Sequence, residues 1–419
     1  MSIRRANVLT AYLDTRIAMA RLRTRADIER RQGKLWRKLA PTLTKTPALR
    51  TKAAAALNAF SIIEPAAIRA RPADWNSLGL AADTIHAAAA GAEIDGTGEA
   101  CAGVYAGFST GSAGVRGVFL SSSAERARYL GQSLAKLLPA DALLRRRRIG
   151  LCLRADNALY RDVANAGPFT FRYFPLAAGA DERARDIQAF APDIFIAPSH
   201  VLAELARFAT AGAFSPPAFE RLFYGAEPMS AAERAWIARV LGARPDPIYQ
   251  ATEGFLGAAC KHGTLHLNED SIVFEFERVH SSQRYRPIIT DLRRTSQPIV
   301  RVRLDDLIEF LETPCPCGSS LRAIKPIEGR VSDVWRWGDS IIFPREIEDA
   351  MAATPPSIEW RASASHAGVT LACEDAHAQL AHAAITALLA RAGASQPINM
   401  TSLFATGDAK RRRVRWADA

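Results

Sequence analysis

Apolar residues recur at helical spacing near the start of the chain: Val8, Leu9, Tyr12, Leu13 and Ile17, then Leu35, Trp36 and Leu39. This rhythm predicts one or two helices over residues 8 to 40, punctuated by Pro41 and Pro47. Further on, "GVFLSSS" is a strand-like run, and "SAERARYLGQSLAKLLP" has the helical pattern, with Ser123 as its expected cap and Pro139 as its end. Strand and helix patterns then alternate. "RIGLCLR" reads as a strand, and "PDIFIAPSHVLAELARFA" as a buried strand running into a helix capped by Ser199. "RLFYGAEPMSAAERAWIARVLGA" repeats strand, turn and helix, with Ser230 as cap and Gly242 just past the end, and "PIYQATEG" adds a short strand and a turn. Such alternation predicts an α/β sheet with helices on its faces.

Residues 263 to 312 change character: "TLHLNEDSIVFEFERV", "RPIITDL", "QPIVRVRL" and "LIEFLE" are successive strands of a β-rich subdomain. "EGRVSDVW", from Glu328, marks a boundary. Beyond it, "DSIIFPREIEDAMAA", "GVTLACE" and "HAQLAHAAITALLARAG" predict a small α+β module of about 90 residues, within the usual domain range. The expected fold class is therefore α/β. A large domain (1–328) carries α/β sheets and the β-rich subdomain, and a small α+β domain (329–419) follows.

The length of 419 residues fits this two-domain reading, since it exceeds a typical single core. A composition that is 48% hydrophobic and 23% charged is ordinary for a globular protein. No apolar run approaches the roughly 18 residues that span a bilayer, so no membrane partner is expected. Charges scattered through the first 25 residues argue against a secretory signal. Six cysteines are too few for a disulfide scaffold. The expected location is cytoplasmic. A net charge of +11 raises nucleic-acid binding, but the runs Arg145–Arg148 and Lys410–Arg413 are not interleaved with the aromatics that stack bases. Nucleic acid is disfavoured as a partner; solvated faces or a phosphate site account better for the charge.

The stretch "GFSTGSAGVRG", Gly107–Gly117, concentrates glycine and hydroxyl residues. It matches G-x-S-x-G, yet a nucleophile elbow needs a helix directly after the serine, and here a second strand-like run follows. It is not a Walker A loop either, because Val118 and not lysine follows Gly117. Eleven residues also exceed the roughly two to five of a tight hairpin turn. A phosphate cradle remains: glycines let backbone N–H groups approach an anion, and Ser109, Thr110 and Ser112 add hydroxyls.

Four further marks follow in order: "YGAEPMS", "YQATEG", "VRVRLDDL" with "EGRVSD", and "TGDAKRRRV". With the loop, this set resembles the adenylate-forming superfamily of acyl-CoA synthetases and adenylation domains, from about Trp36 to Lys410. Within it the chain is similar to the phenylacetate–CoA ligase branch, which includes synthetases that adenylylate a deazaflavin coenzyme and bacterial acyl-protein synthetases. The resemblance implies a role for each matching residue. Ser109, Thr110, Gly111, Ser112, Gly114 and Gly117 would clasp the β- and γ-phosphates of ATP. Tyr249 would offer an aromatic face to adenine, Thr252 a hydroxyl near the α-phosphate, and Glu253 a carboxylate to Mg²⁺. Gly225, Ala226 and Glu227 match the adenine-side strand end. Asp306, with Asp305 beside it, matches the acid that grips the ribose hydroxyls. Arg330 matches the hinge arginine, and Lys410 the lysine that a mobile C-terminal domain swings in for adenylation.

The chemistry is consistent with these residue types. A carboxylate attacking the α-phosphorus needs charge neutralisation, which Mg²⁺ and a lysine can supply. From the residues alone, Asp306 reads equally as a strand-end acid pairing with Arg301 or Arg303, and Lys410 as a solvated charge. An acid at Glu253, beside the apolar "FLGAA", is costly unless used. The chain also departs from the pattern: Val115 and Arg116 stand where many relatives have Lys-Pro, Ala113 where a hydroxyl is frequent, and Ser332 where an Asp is usual. Cys315-Pro-Cys317-Gly318 resembles the cysteine pair of some relatives. With Cys260 and His266 it can make a closed, structural Zn²⁺ site, while a plain turn is the alternative.

The expected function is ATP- and Mg²⁺-dependent activation of a small carboxylic acid, aryl or hydroxyaryl, as its adenylate. The acyl group then passes to coenzyme A or to the phosphopantetheine arm of an acyl carrier protein. The alternatives are transfer of AMP to a coenzyme-type acceptor, and an inactive adenylation fold that binds nucleic acid.

Overall fold

In the computed structural model, which describes residues 5–53, 55–94, 96–109, 116–153, 169–403 and 411–417, the opening rhythm becomes two helices, α1 (Arg5–Arg21) and α2 (Arg25–Leu43). Helix α2 starts at a capping box between Thr24 and Asp27 and runs two residues past Pro41, burying Ile28, Leu39 and Leu43. Helices α3 (Pro65–Ala70) and α4 (Ala82–Ile94) lead to a three-stranded antiparallel sheet, β1 (Glu99–Cys101), β2 (Val104–Phe108) and β3 (Val118–Ser122). Helix α5 (Ser123–Leu137) is capped by Ser122 and not by Ser123. The S-x-x-E spacing that closes a capping box runs from Ser122 to Glu125, so the cap lies one residue upstream of the expected one.

Next come β4 (Arg147–Leu153), β5 (Phe169–Pro175), α6 (Ala180–Phe190), β6 (Ile194–Pro198), α7 (Ser199–Thr210), β7 (Arg221–Gly225), α8 (Ala231–Leu241) and β8 (Pro245–Ala251). They are followed by β9 (Gly254–Ala259), β10 (Leu265–Leu267), β11 (Ile272–Arg278), β12 (Arg284–Asp291), β13 (Ile299–Arg303), β14 (Ile308–Glu309) and β15 (Ala323–Ile324). Ser230 caps α8 and Gly242 ends it in a left-handed conformation, as read from the sequence. Helix α7 differs: Pro198 holds its cap position, and Ser199 is already helical, its hydroxyl directed at Glu227.

An eight-stranded sheet has the order β15-β10-β9-β8-β7-β6-β4-β5. It is parallel from β5 to β8 and antiparallel from β8 to β15. In such sheets ligands bind beyond the carboxyl ends of parallel strands, and Gly225–Glu227 and Thr252–Glu253 follow those ends of β7 and β8. Strands β11 to β14 form a separate antiparallel sheet, which packs with α2 around Leu256, Leu267, Ile289 and Val302.

The last part of the chain comprises β16 (Trp335–Trp337), β17 (Ser340–Ile342), α9 (Pro344–Met351), β18 (Trp360–Ser365), β19 (Gly368–Cys373), α10 (Ala378–Arg391), β20 (Ile398–Thr401) and β21 (Val414–Trp416). It has its own core, which includes Trp335, Ile347, Trp360, Leu371, Ile385 and Trp416. The fold class is thus α/β with a β-rich sheet and a small α+β C-terminal part. Among the described residues no helix is long and apolar enough to cross a membrane. Several arginines of the two basic runs are paired within the chain. Arg147 pairs with Asp141 and Glu220, Arg148 with Asp193, Arg411 and Arg413 with Glu233, and Arg412 with Asp333.

Candidate active site

Strands β2 and β3 pair up to Phe108 and Val118, which leaves the Gly/Ser/Thr stretch as the loop of a hairpin. Its neck is closed twice: the Ser109 N–H donates to the Gly117 carbonyl at 2.7 Å, and the Gly117 N–H donates to Ser109 Oγ at 2.8 Å. Thr110, Gly111, Ser112 and Gly114 lie outside the described residues. Arg116 turns back on the neck, with Nε on the Ser109 carbonyl at 3.1 Å and Nη1 on Glu93 at 2.9 Å. Its guanidinium also lies 4.7 Å from the centre of the Phe108 ring.

Tyr249, in β8, is buried and donates its hydroxyl to Asp306 Oδ2 at 2.8 Å. Burial and the Asp306 charge both push this phenol well above its ordinary pKa. The alternative partners for Asp306 are occupied elsewhere: Arg301 grips Glu275 at 2.8 Å and Arg303 grips Glu277 at 2.6 Å, across the sheet. A short antiparallel bridge sets Asp306 beside Arg330. It is flanked by the Leu307 N–H on the Gly329 carbonyl at 2.9 Å and the Val331 N–H on the Asp305 carbonyl at 2.7 Å. Ser332 donates to Asp305 Oδ2 at 2.6 Å, so the segment after Arg330 is tied to the link between β13 and β14 that carries both acids.

Burial raises the Glu253 carboxyl above its usual range, and the Asp306 charge adds to this. Its own backbone N–H, Arg294 and Arg69 oppose the shift. A carboxyl in that setting is one that a cation would restore to the ionised form, which fits a Mg²⁺ ligand. Thr252, exposed beside it, is held through its carbonyl by Arg294 Nη1 at 2.8 Å. Arg294 Nη2 also donates to Gln297 Oε1 at 2.9 Å, and the same oxygen accepts the N–H of Leu120 in β3 at 3.2 Å. Gln297 and Arg294 therefore brace the loop-bearing hairpin against the Thr252–Glu253 turn. Glu125, the acid of the α5 capping box, fixes that brace by accepting the Ser296 N–H at 2.8 Å and the Ser296 hydroxyl at 2.6 Å. Sequence reasoning missed all three residues. The one local signal was the polar run Arg293–Gln297 joining β12 to β13.

After β7, Gly225 leads to Ala226 in the left-handed region, φ 68°, a conformation that a non-glycine residue adopts at a cost. This turn aims Glu227 inward. Its buried carboxylate accepts from Ser199 Oγ at 2.9 Å, the His200 N–H at 3.1 Å, His200 Nδ1 at 2.8 Å and the Arg411 N–H at 2.6 Å. Burial raises its pKa, but His200 and Arg411 hold it below the ordinary value. Lys410 lies outside the described residues; its neighbour Arg411 is fixed on Glu227.

Pairing of β9, β10 and β15 brings a second group together at one end of the large sheet. Sγ of Cys260, Cys315 and Cys317 and a ring nitrogen of His266 all lie within 4.8 Å of one another. Cys260 Sγ and Cys315 Sγ are 3.6 Å apart, close to the ~3.8 Å edge of a tetrahedron with ~2.3 Å Zn–S bonds. His266 Nδ1 donates to the Leu321 carbonyl at 3.0 Å, leaving Nε2, 3.3 Å from Cys317 Sγ, free to ligate. Burial opposes ionisation of Cys260, but backbone N–H groups of His262 and Thr264 hold its thiol below the ordinary value, and Cys315 is lowered as well. Burial pushes the Cys317 thiol up to about 12, with the neighbouring sulfurs adding to the shift. Three sulfurs and one nitrogen at this spacing fit a closed zinc site.

No protein-family model and no curated protein matches the chain. Solved structures do match its fold. 2-Hydroxyisobutyryl-CoA ligase in the postadenylation state, in complex with 2-HIB-AMP, is similar with a TM-score of 0.65 at 18% identity, over 93% of this chain and 90% of that one. An amide bond synthetase from Marinactinospora thermotolerans gives 0.54 at 12% identity, over 74% and 68%. An anthranilate CoA ligase in complex with anthranoyl-AMP gives 0.50 at 11%, over 73% and 65%. The fold is that of adenylate-forming acyl-CoA ligases over most of the chain.

Proposed function

We propose that the chain activates a small carboxylic acid with ATP, releasing pyrophosphate and forming the acyl-adenylate, then transfers the acyl group to a thiol. The observation that carries this reading is a convergence of distant segments. The neck of the Ser/Thr/Gly loop, the Thr252–Glu253 turn and Asp306 meet through the Gln297–Arg294 brace and the Tyr249–Asp306 hydrogen bond.

Each residue then has a physical task. The loop amides and hydroxyls hold the β- and γ-phosphates. Asp306 accepts the ribose hydroxyls, oriented by the Tyr249 O–H. Thr252 stands by the α-phosphate, and Glu253 would hold Mg²⁺, which when bound neutralises charge on the phosphates. Gly225 and Ala226 form the adenine side. Lys410, next to Arg411 in the sequence, supplies positive charge as the α-phosphorus becomes pentavalent. Arg330 sits at the hinge between the domains 1–328 and 329–419. Cys260, His266, Cys315 and Cys317 hold structural Zn²⁺, away from the chemistry because a closed site has no open position.

An aryl or hydroxyaryl acid of the phenylacetate–CoA ligase type is the favoured substrate from the resemblance of the motifs; among the similar folds the anthranilate ligase takes an aryl acid and the 2-hydroxyisobutyryl ligase an aliphatic one. The acceptor is coenzyme A or a carrier-protein phosphopantetheine. Pairing of Arg147 and of Arg411 to Arg413 with acids of the chain is in keeping with a reading without nucleic acid. The test is acid-dependent exchange of labelled pyrophosphate into ATP across a panel of acids. Exchange is expected with at least one aryl acid, and Glu253→Gln should lower it about 100-fold or more with the fold unchanged. No exchange with any acid would favour AMP transfer to another acceptor. Salt-sensitive DNA binding in its place would favour an inactive fold.

A further inference from the structure

The loop Gly107–Gly117 contains one basic residue, Arg116, and that residue is committed to Glu93, the Ser109 carbonyl and the Phe108 ring. A site for a triphosphate with so little positive charge on its loop needs a cation from elsewhere. Arg69, at the end of α3, is in position. A Cβ built on Gly117 would stand 3.0 Å from Cγ and 3.1 Å from Cδ of Arg69, so the arginine stem lies directly on the loop neck. Its charge also acts on the Glu253 carboxylate on the other side of the site.

The backbone that carries Arg69 is fixed on both sides. Ile63 pairs with β13, its N–H on the Arg301 carbonyl and its carbonyl accepting the Arg303 N–H, both at 2.9 Å. Ile68 is buried in the core formed with the β11–β14 sheet. Neighbouring arginines are paired: Arg71 with Asp74, Arg301 with Glu275, Arg303 with Glu277 and Arg286 with Asp305. Arg69 is half-buried and, among the described residues, makes no ion pair or hydrogen bond. A half-buried guanidinium without a partner, seated on a backbone-lined loop, fits an anion that arrives with the substrate.

We propose that Arg69 binds the β/γ-phosphate end of ATP, and the pyrophosphate it becomes, as the cation that the loop itself does not present. This rests on the adenylation reading and adds a binding residue to it. Gly117 takes part through its size: a Cβ there would crowd the Arg69 stem and push it off the neck by a few tenths of an ångström.

The test is equilibrium binding of ATP, pyrophosphate and AMP to the full chain by calorimetry, with melting temperatures as the fold control. Arg69→Ala should weaken ATP and pyrophosphate about 10-fold or more and leave AMP, which lacks those phosphates, within about twofold. Arg69→Lys should recover part of the loss, and Gly117→Ala should weaken ATP less than Arg69→Ala does. Melting should change little in Arg69→Ala, since no ion pair or hydrogen bond to protein is lost and only the stem packing on Gly117 and the charge acting on Glu253 are removed. Equal loss of AMP and ATP, unchanged ATP binding, or an effect confined to the KM of the acid would each overturn the role of Arg69 while leaving the adenylation reading standing. A wild-type chain that binds neither nucleotide would overturn both.

Discussion

A phenol buried at the end of β8 and a carboxylate at the end of β13 share one hydrogen bond, and each governs what the other can do. Asp306 accepts the Tyr249 O–H at Oδ2, which fixes the carboxylate for the ribose hydroxyls. Removing the acid has two separable consequences. Asp306→Ala takes away the ribose acceptor and leaves a buried hydroxyl unsatisfied, which costs about 1–3 kcal/mol. Asp306→Asn keeps an acceptor for Tyr249 but not the charge. Both variants should raise the ATP KM about 10-fold or more with a smaller effect on kcat, because ribose contacts are equal in ground and transition states. Only the alanine variant should melt earlier. Steady-state kinetics with ATP varied, beside thermal melts, separate the two effects. A normal ATP KM in Asp306→Asn would leave the acid as a support for Tyr249 alone.

At the scale of elements, the edge of the large sheet is poorly held by its own ladder. Strand β10 has three residues and β15 two, and the loop that joins β14 to β15 carries Cys315 and Cys317. A metal bridging that loop to Cys260 and His266 supplies the missing tie. Protein purified without added metal should contain about one zinc per chain, and Cys315→Ser should lose the zinc and melt several degrees lower. Less than about 0.2 zinc per chain, with Cys315→Ser as stable as wild type, would leave "CPCG" as a turn. The elements themselves were legible where local physics decides them. Buried apolar runs marked β4, β6, β7 and β8, and Ser230 with Gly242 bounded α8 correctly. Two caps were misplaced by one residue, because adjacent serines at Ser122–Ser123 and a proline before Ser199 compete for the same position. Loop, turn and acid could be proposed from the sequence because each is a short motif that carries the family resemblance. Gln297, Arg294 and Arg69 could not be, because what they do depends on residues far away in the chain: Gln297 meets Leu120 across 177 positions. No local pattern marks such a pair.

At the scale of the whole molecule, the C-terminal part rests on α7 and α8 largely through charge. Arg411 pairs with Glu233 and Glu359, Arg413 with Glu233, and Arg207 of α7 with Glu359. Glu227 and Glu348 complete the group of carboxylates, and Arg345 stands near Glu348 as a further guanidinium. Buried charges persist only when paired, and Glu348 is buried without an ion pair among the described residues. Burial pushes its carboxyl up to about 7; Glu233 adds to the shift, and Arg413, Arg411 and Arg345 oppose it. In the unfolded chain the same group titrates near 4.5. Below that pH both states hold the proton, and the stability from the neutral form is fully present. As pH rises from 4.5 through about 7 the unfolded chain ionises first, the folded state falls behind, and that stability is lost. Glu348→Gln keeps the shape and removes the titration. Its melting temperature should match wild type near pH 4.5 and exceed it by an amount that grows up to pH 7 and is constant beyond pH 8, a few degrees in all. Comparison within one protein cancels Glu227 and Glu359, whose lowered pKa values act only at more acid pH. Melting curves for the two proteins that stay parallel from pH 5 to pH 8 would mean that Glu348 is ionised in the folded chain, held by Arg413 and Arg411, and that the latch on α8 does not respond to pH.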